Sequence, residues 1–183
     1  TTACPDAEAY TDTIGVDKER PASLELDSLT VKNGNVQLGW SPHPNPAIKG
    51  YTIYYVDGGQ TRKIDQVLGH KNTSYTENDL SAPDGQVEKF RLGAFDSCMN
   101  ESTVSVNTHS SIFLQEPDVD TCERKIELNW SAYKGWDVAE YRIVAAKDGE
   151  NPQIVESVDG SETEAVIDTL EGGFTYDVSI RAL

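Results

Sequence analysis

Val36-Gln37-Leu38-Gly39-Trp40 and Ile126-Glu127-Leu128-Asn129-Trp130 carry one pattern twice, with apolar residues at the first, third and fifth positions. A period of two is that of a strand with one buried face, not of a helix. Each tryptophan is followed 11 residues later by a tyrosine, Tyr51 in Gly50-Tyr51-Thr52-Ile53-Tyr54-Tyr55 and Tyr141 in Glu140-Tyr141-Arg142-Ile143-Val144-Ala145, and both stretches alternate again. The tryptophans lie 90 residues apart. That is too long for a solenoid repeat and suits a whole β-sandwich of roughly 100 residues.

The echo continues downstream. Ser74-Tyr75-Thr76 with Leu80 aligns with Ala165-Val166-Ile167 with Leu170, and Phe90-Arg91-Leu92-Gly93-Ala94-Phe95 aligns with Tyr176-Asp177-Val178-Ser179-Ile180-Arg181-Ala182. No stretch sustains a 3.6-residue apolar period, and clusters such as Ser41-Pro42-His43-Pro44-Asn45-Pro46 and Asp57-Gly58-Gly59 punctuate the strand-like runs. The expected class is all-β.

These residues resemble fibronectin type III domains, which carry a core Trp on the second strand, a Tyr on the third, and a Leu ahead of a turn into a Tyr-x-Val-x-Ala strand. The resemblance covers nearly all of residues 18–183 and makes Trp40, Tyr51, Trp130, Tyr141 and Tyr176 structural core residues. It implies that Tyr176, after Leu170-Glu171-Gly172-Gly173-Phe174-Thr175, is a corner tyrosine whose hydroxyl bonds back to backbone. In repeat one the aligned residue is Phe90, which has no hydroxyl, so no such bond is expected there. The expected organisation is a tail of a preceding domain or linker over 1–17, one sandwich over 18–109 and a second over 110–183. The second sandwich stops at Leu183, one strand short, and an open strand edge recruits strands. Ala9-Tyr10-Thr11-Asp12-Thr13-Ile14 is a candidate to fill that edge in a neighbouring molecule by strand exchange.

The formal charge is −16, and residues 113–183 hold 16 acids against 6 bases. So acidic a surface repels phosphate backbones and anionic headgroups, which excludes nucleic acid and electrostatic membrane association as expected roles. No apolar run approaches a membrane span, and the chain opens on Thr-Thr with no basic leader, as a mature or excised piece would.

Of three cysteines, Cys98 follows the sixth strand of repeat one and Cys122 precedes the second strand of repeat two. A bond between them would close a loop of about 25 residues, worth roughly 3 kcal/mol, and clamp the sandwiches together; separate free thiols are the alternative. Cys4, aligned with Cys98, is left unpaired or bonded outside the chain.

Catalytic and cofactor chemistry is not expected. His43, His70 and His109 fall on three separate loops without zinc spacing, and no nucleophile elbow, phosphate loop or dinucleotide fingerprint occurs. Asp118, Asp120 and Glu123, and likewise Asp159, Glu162 and Glu164, offer clustered oxygens for calcium, but neither group fits the calcium-loop pattern.

Loop aromatics are the stronger lead. Tyr133 and Trp136, in Ser131-Ala132-Tyr133-Lys134-Gly135-Trp136-Asp137, are the candidate binding residues for a protein or glycan; the alternative is that Trp136 caps the core or packs against repeat one. Gly50 to Tyr54, Thr73 to Thr76, Ala94 to Ser102 and His109 to Leu114 also look like repeats of very large secreted or surface proteins of gliding-type bacteria. That resemblance implies a secreted or cell-surface location, and it would leave the sequons at Asn72, Asn100 and Asn129 without meaning. The expected function is a non-catalytic extracellular spacer or adhesive module joined to neighbouring domains of a larger protein. The alternative is an accessory region of a secreted polysaccharide-degrading enzyme that touches carbohydrate through loop aromatics.

Overall fold

A computed structural model describes residues 18–79 and 82–183. Ala9–Ile14, Cys4 and Leu80 lie outside the described residues. Every regular element among the described residues is a strand, and the all-β, two-sandwich expectation holds.

In the first sandwich β1 (Ser28–Lys32), β2 (Asn35–Gly39) and β5 (Ser74–Glu77) form one sheet in the order β1-β2-β5. β3 (Ile48–Asp57), β4 (Gln60–Leu68), β6 (Lys89–Asp96) and β7 (His109–Ser110) form the facing sheet in the order β4-β3-β6-β7. The β1–β2 hairpin closes through Asn33 and Gly34, whose φ values of 52° and 73° are those of the primed two-residue turn that matches strand twist.

The second sandwich repeats this plan. β8 (Asp118–Asp120), β9 (Lys125–Asn129) and β12 (Glu164–Ile167) make one sheet, and β10 (Glu140–Lys147), β11 (Gln153–Asp159) and β13 (Tyr176–Ala182) make the other. Among the described residues β13 pairs only with β10, so its other edge is open.

The alternating runs bury as their period requires. Val36, Leu38 and Trp40 point inward from one repeat, Leu128 and Trp130 from the other, and all are buried. Trp40 meets Tyr51 edge to face at 5.3 Å and 62°, and Trp130 meets Tyr141 at 5.6 Å and 66°. Each tyrosine hydroxyl then accepts a backbone N–H from eight residues earlier, His43 for Tyr51 (3.0 Å) and Tyr133 for Tyr141 (2.9 Å). Tyr51 Oη also donates to the His70 carbonyl at 2.7 Å.

Strand register corrects two alignments. Val36 faces Glu77 and Ile126 faces Ile167, so Tyr75 and Glu77 are the counterparts of Ala165 and Ile167, one residue away from the apolar-to-apolar match. A one-residue slip exchanges the faces of a strand. Repeat one therefore turns a glutamate inward where repeat two has isoleucine. Glu77 is tolerated because its carboxylate accepts the Tyr75 hydroxyl (2.8 Å) and the Asp79 N–H (2.8 Å).

Likewise Ile53 faces Leu92 and Ile143 faces Ile180, which makes Leu92 equivalent to Ile180 and moves the counterpart of Tyr176 from Phe90 to Glu88. Tyr176 Oη accepts the Glu171 N–H at 3.1 Å and donates to its carbonyl at 3.4 Å. Fully buried Glu88 holds its own corner with Oε1, which accepts the Ala82 N–H (2.7 Å) and the Gln86 amide (3.1 Å). A side-chain-to-backbone bond thus exists at both corners, made by different chemistry.

Candidate functional site

The two repeats meet where β7 runs out of the first sandwich. Ser111 N–H donates to the Glu88 carbonyl and Ser111 Oγ accepts the Glu88 N–H, both at 2.8 Å. Ser110 N–H donates to the Lys134 carbonyl of the second sandwich at 2.8 Å. Ser131 N–H donates to the Phe113 carbonyl at 2.9 Å, and Leu114 bridges to Trp130. The connecting residues 110–115 are therefore bonded along their length, first to one sandwich and then to the other.

Side chains complete the joint. His109 is 1% exposed, and its Nδ1 lies 2.8 Å from the hydroxyl of Tyr133. Tyr133, 7% exposed, belongs to the same buried cluster as Leu26 and Leu29 of the first sandwich and Leu128 and Ile167 of the second. Burial pushes its phenol up to about 12, and the Leu29 backbone and the Trp136 side chain oppose the rise. Gly135 has φ of 144°, and a Cβ there would collide with the His109 ring. Glycine is thus the residue that lets this loop approach the histidine.

The candidate aromatics divide. Tyr133 is a plug inside the joint. Trp136 tilts over it at 4.7 Å and 43° and remains 38% exposed, so of the two candidates Trp136 alone presents an aromatic surface to a partner.

The remaining candidates are scattered. Cys98 and Cys122 are both free and exposed, which corrects the expected disulfide. The eight-residue β6 carries the chain from Lys89, paired with Ser110 at the joint, to Asp96, and Cys98 lies in the turn beyond. β9 starts from the turn that holds Cys122 and runs toward the joint at Trp130. At about 3.3 Å per residue the two cysteines sit at opposite poles, far outside the roughly 7 Å Cα separation that a disulfide spans.

Three of the six carboxylates considered for calcium, Asp120, Glu123 and Asp159, hold local partners. Asp120 Oδ1 accepts the N–H groups of Cys122 and Glu123 at 2.9 Å, and Glu123 pairs with Lys125 at 2.7 Å. Asp159 is held below the usual carboxylate range by hydrogen bonds from Ser161. Among the described residues no three metal-ligating side chains converge. The histidines are not on three separate loops: His70 Nε2 lies 2.7 Å from the His43 carbonyl, and His109 is a strand residue. No helix of the described residues is long and apolar enough to cross a membrane. His109 is the site residue missed by sequence reasoning. The only available signal was its position just ahead of Ile112-Phe113-Leu114, where the connection between repeats begins.

No protein-family model matches the chain, and no curated protein matches it. Similar solved structures include the FN1–FN3 domains of chicken CNTN1, at 18% identity over 89% of this chain and 62% of that one, with a TM-score of 0.41. A two-domain fibronectin type III segment of chicken tenascin is 23% identical over 90% of this chain and 91% of that one, with a TM-score of 0.35. The spore cortex lytic enzyme SleM of Clostridium perfringens is 16% identical over 50% of this chain and 27% of that one, with a TM-score of 0.40. The chain spans less than two thirds of the CNTN1 and SleM structures.

Proposed function

We propose that this chain is a non-catalytic, stiff two-sandwich spacer within a larger secreted or surface-exposed protein, of the kind its resemblance to repeats of gliding-type bacteria implies. The observation that carries this reading is the Tyr133 plug: a flexible linker would not bury a tyrosine of one sandwich against a histidine of the next. The acidic surface supports it, since like charge keeps neighbouring copies apart. Spin labels on Cys98 and Cys122, with Cys4→Ser, mark the two poles. A single narrow interspin distance is expected, and a broad distribution would overturn the reading.

Exposed Trp136 favours a second reading, an accessory module that touches carbohydrate. A glycan array probed with the chain and with Trp136→Ala separates the two. Binding lost in the variant establishes the accessory role, and blank arrays leave the spacer. Strand exchange through Ala9–Ile14 remains a proposal for the open edge of β13, and sedimentation showing only monomer at high concentration would remove it.

A further inference from the structure

His109 lies opposite Phe90 of β6 and against Tyr133 and Gly135 of the second sandwich, and Glu25 and Asp27 ahead of β1 act on it through their charge. The charged groups on these elements are few. Glu25 and Asp27 favour the imidazolium, and Glu25 also accepts the Val106 and Asn107 N–H groups at 2.9 and 3.2 Å. Glu88, ahead of β6, holds Ala82, and Arg91 gives its Nε–H to Thr108 Oγ1 at 2.6 Å. Lys89 pairs with Ser110 along the backbone, and Lys134 contributes its carbonyl to Ser110. Burial outweighs the two carboxylates and holds the imidazole below its ordinary value.

Hydrogen-bond accounting leads the same way. His109 Nδ1 lies 2.8 Å from the Tyr133 hydroxyl, so a neutral ring with its proton on Nε2 accepts the phenol proton. A proton on Nδ1 removes that acceptor from the phenol and places a cation in the buried joint. The loop that carries Tyr133 packs so closely on the ring that a Cβ at Gly135 would collide with it.

We propose that His109 is an acid-sensitive latch: neutral, it locks the second sandwich onto the first; protonated, it releases Tyr133 and frees the hinge while both sandwiches stay folded. The latch rests on the spacer reading above. A depressed histidine contributes stability that is fully present above its free value of 6.5 and is lost as the pH falls from there toward the depressed value. Each unit of depression makes release about tenfold easier at the acid end.

The test is the interspin distance between labelled Cys98 and Cys122 (Cys4→Ser) at pH 8 and pH 5, with circular dichroism confirming that the sandwiches stay folded. Expected are a narrow distribution at pH 8, a broad one at pH 5, and no difference between the two pH values in His109→Gln. Gly135→Ala is expected to broaden the distribution at both. In the unsubstituted protein the His109 imidazole resonances should titrate below 6.5, together with the broadening. The latch is overturned if the distribution stays narrow at pH 5, if His109→Gln keeps the response, or if His109 titrates at or above its free value. A distribution already broad at pH 8 removes the spacer reading and the latch with it.

Discussion

In the first sandwich the loop ahead of β6 is held by a fully buried carboxylate, Glu88, and in the second the loop ahead of β13 is held by a half-buried phenol, Tyr176. The same asymmetry runs along the strands that follow. Phe90, Leu92, Ala94 and Phe95 of β6 are fully buried, whereas Val178, Ile180 and Ala182 of β13 are only partly buried. β6 is flanked on its far side by β7 and by Ser102 and Ser105, whose hydroxyls accept the Ala94 and Leu92 N–H groups at 2.9 and 3.0 Å. Among the described residues no strand flanks the far side of β13. The Trp–Tyr frame is thus complete in both copies, while closure of the core depends on a strand lying beyond it.

Five substitutions, in three tests, can break this comparison. The largest effect is expected at Leu92→Ala, about 3 kcal/mol in urea unfolding, against about 1 kcal/mol for Ile180→Ala at the equivalent position. Equal losses would mean that β13 is as well packed as β6. Next, Glu88→Ala strands the Ala82 N–H and the Gln86 amide and should cost about 2 kcal/mol, whereas Tyr176→Phe should cost about 1 kcal/mol. If the tyrosine proves the costlier loss, the carboxylate is not the stronger corner. The smallest effect is expected at Glu101→Gln. Its 2.5 Å ion pair with Lys63 is exposed at 37% and 44%, so screening leaves less than about 1 kcal/mol. A larger loss would show that the segment beside β6 hangs on this pair rather than on Ser102 and Ser105.

Much of the fold was legible because strand alternation and the Trp-to-Tyr spacing are local. Their meaning does not depend on what lies across the sheet. The misreadings came from residues whose role depends on a partner. Glu77 and Glu88 carry no sequence sign of facing inward, because a carboxylate is expected in water; the Tyr75 hydroxyl, the N–H groups of Asp79 and Ala82 and the Gln86 amide make their burial possible. Cys98 and Cys122 are 24 residues apart in the chain, which suggested proximity, yet the strands beside them carry each away from the joint.

The candidate site was half visible. The loop holding Tyr133 and Trp136 could be singled out for its aromatics, but nothing in its composition separates a plug from a platform. That division depends on His109, on the close approach of Gly135, and on Leu29, contributed from other strands and loops.

Period and spacing alone were enough to establish an all-β chain of two sandwiches, each built around a tryptophan and a tyrosine, because side chains on a strand choose their face by position. Which surfaces meet, which carboxylates are buried and which aromatic is left to a partner were settled by packing, because each depends on atoms brought together from distant parts of the chain.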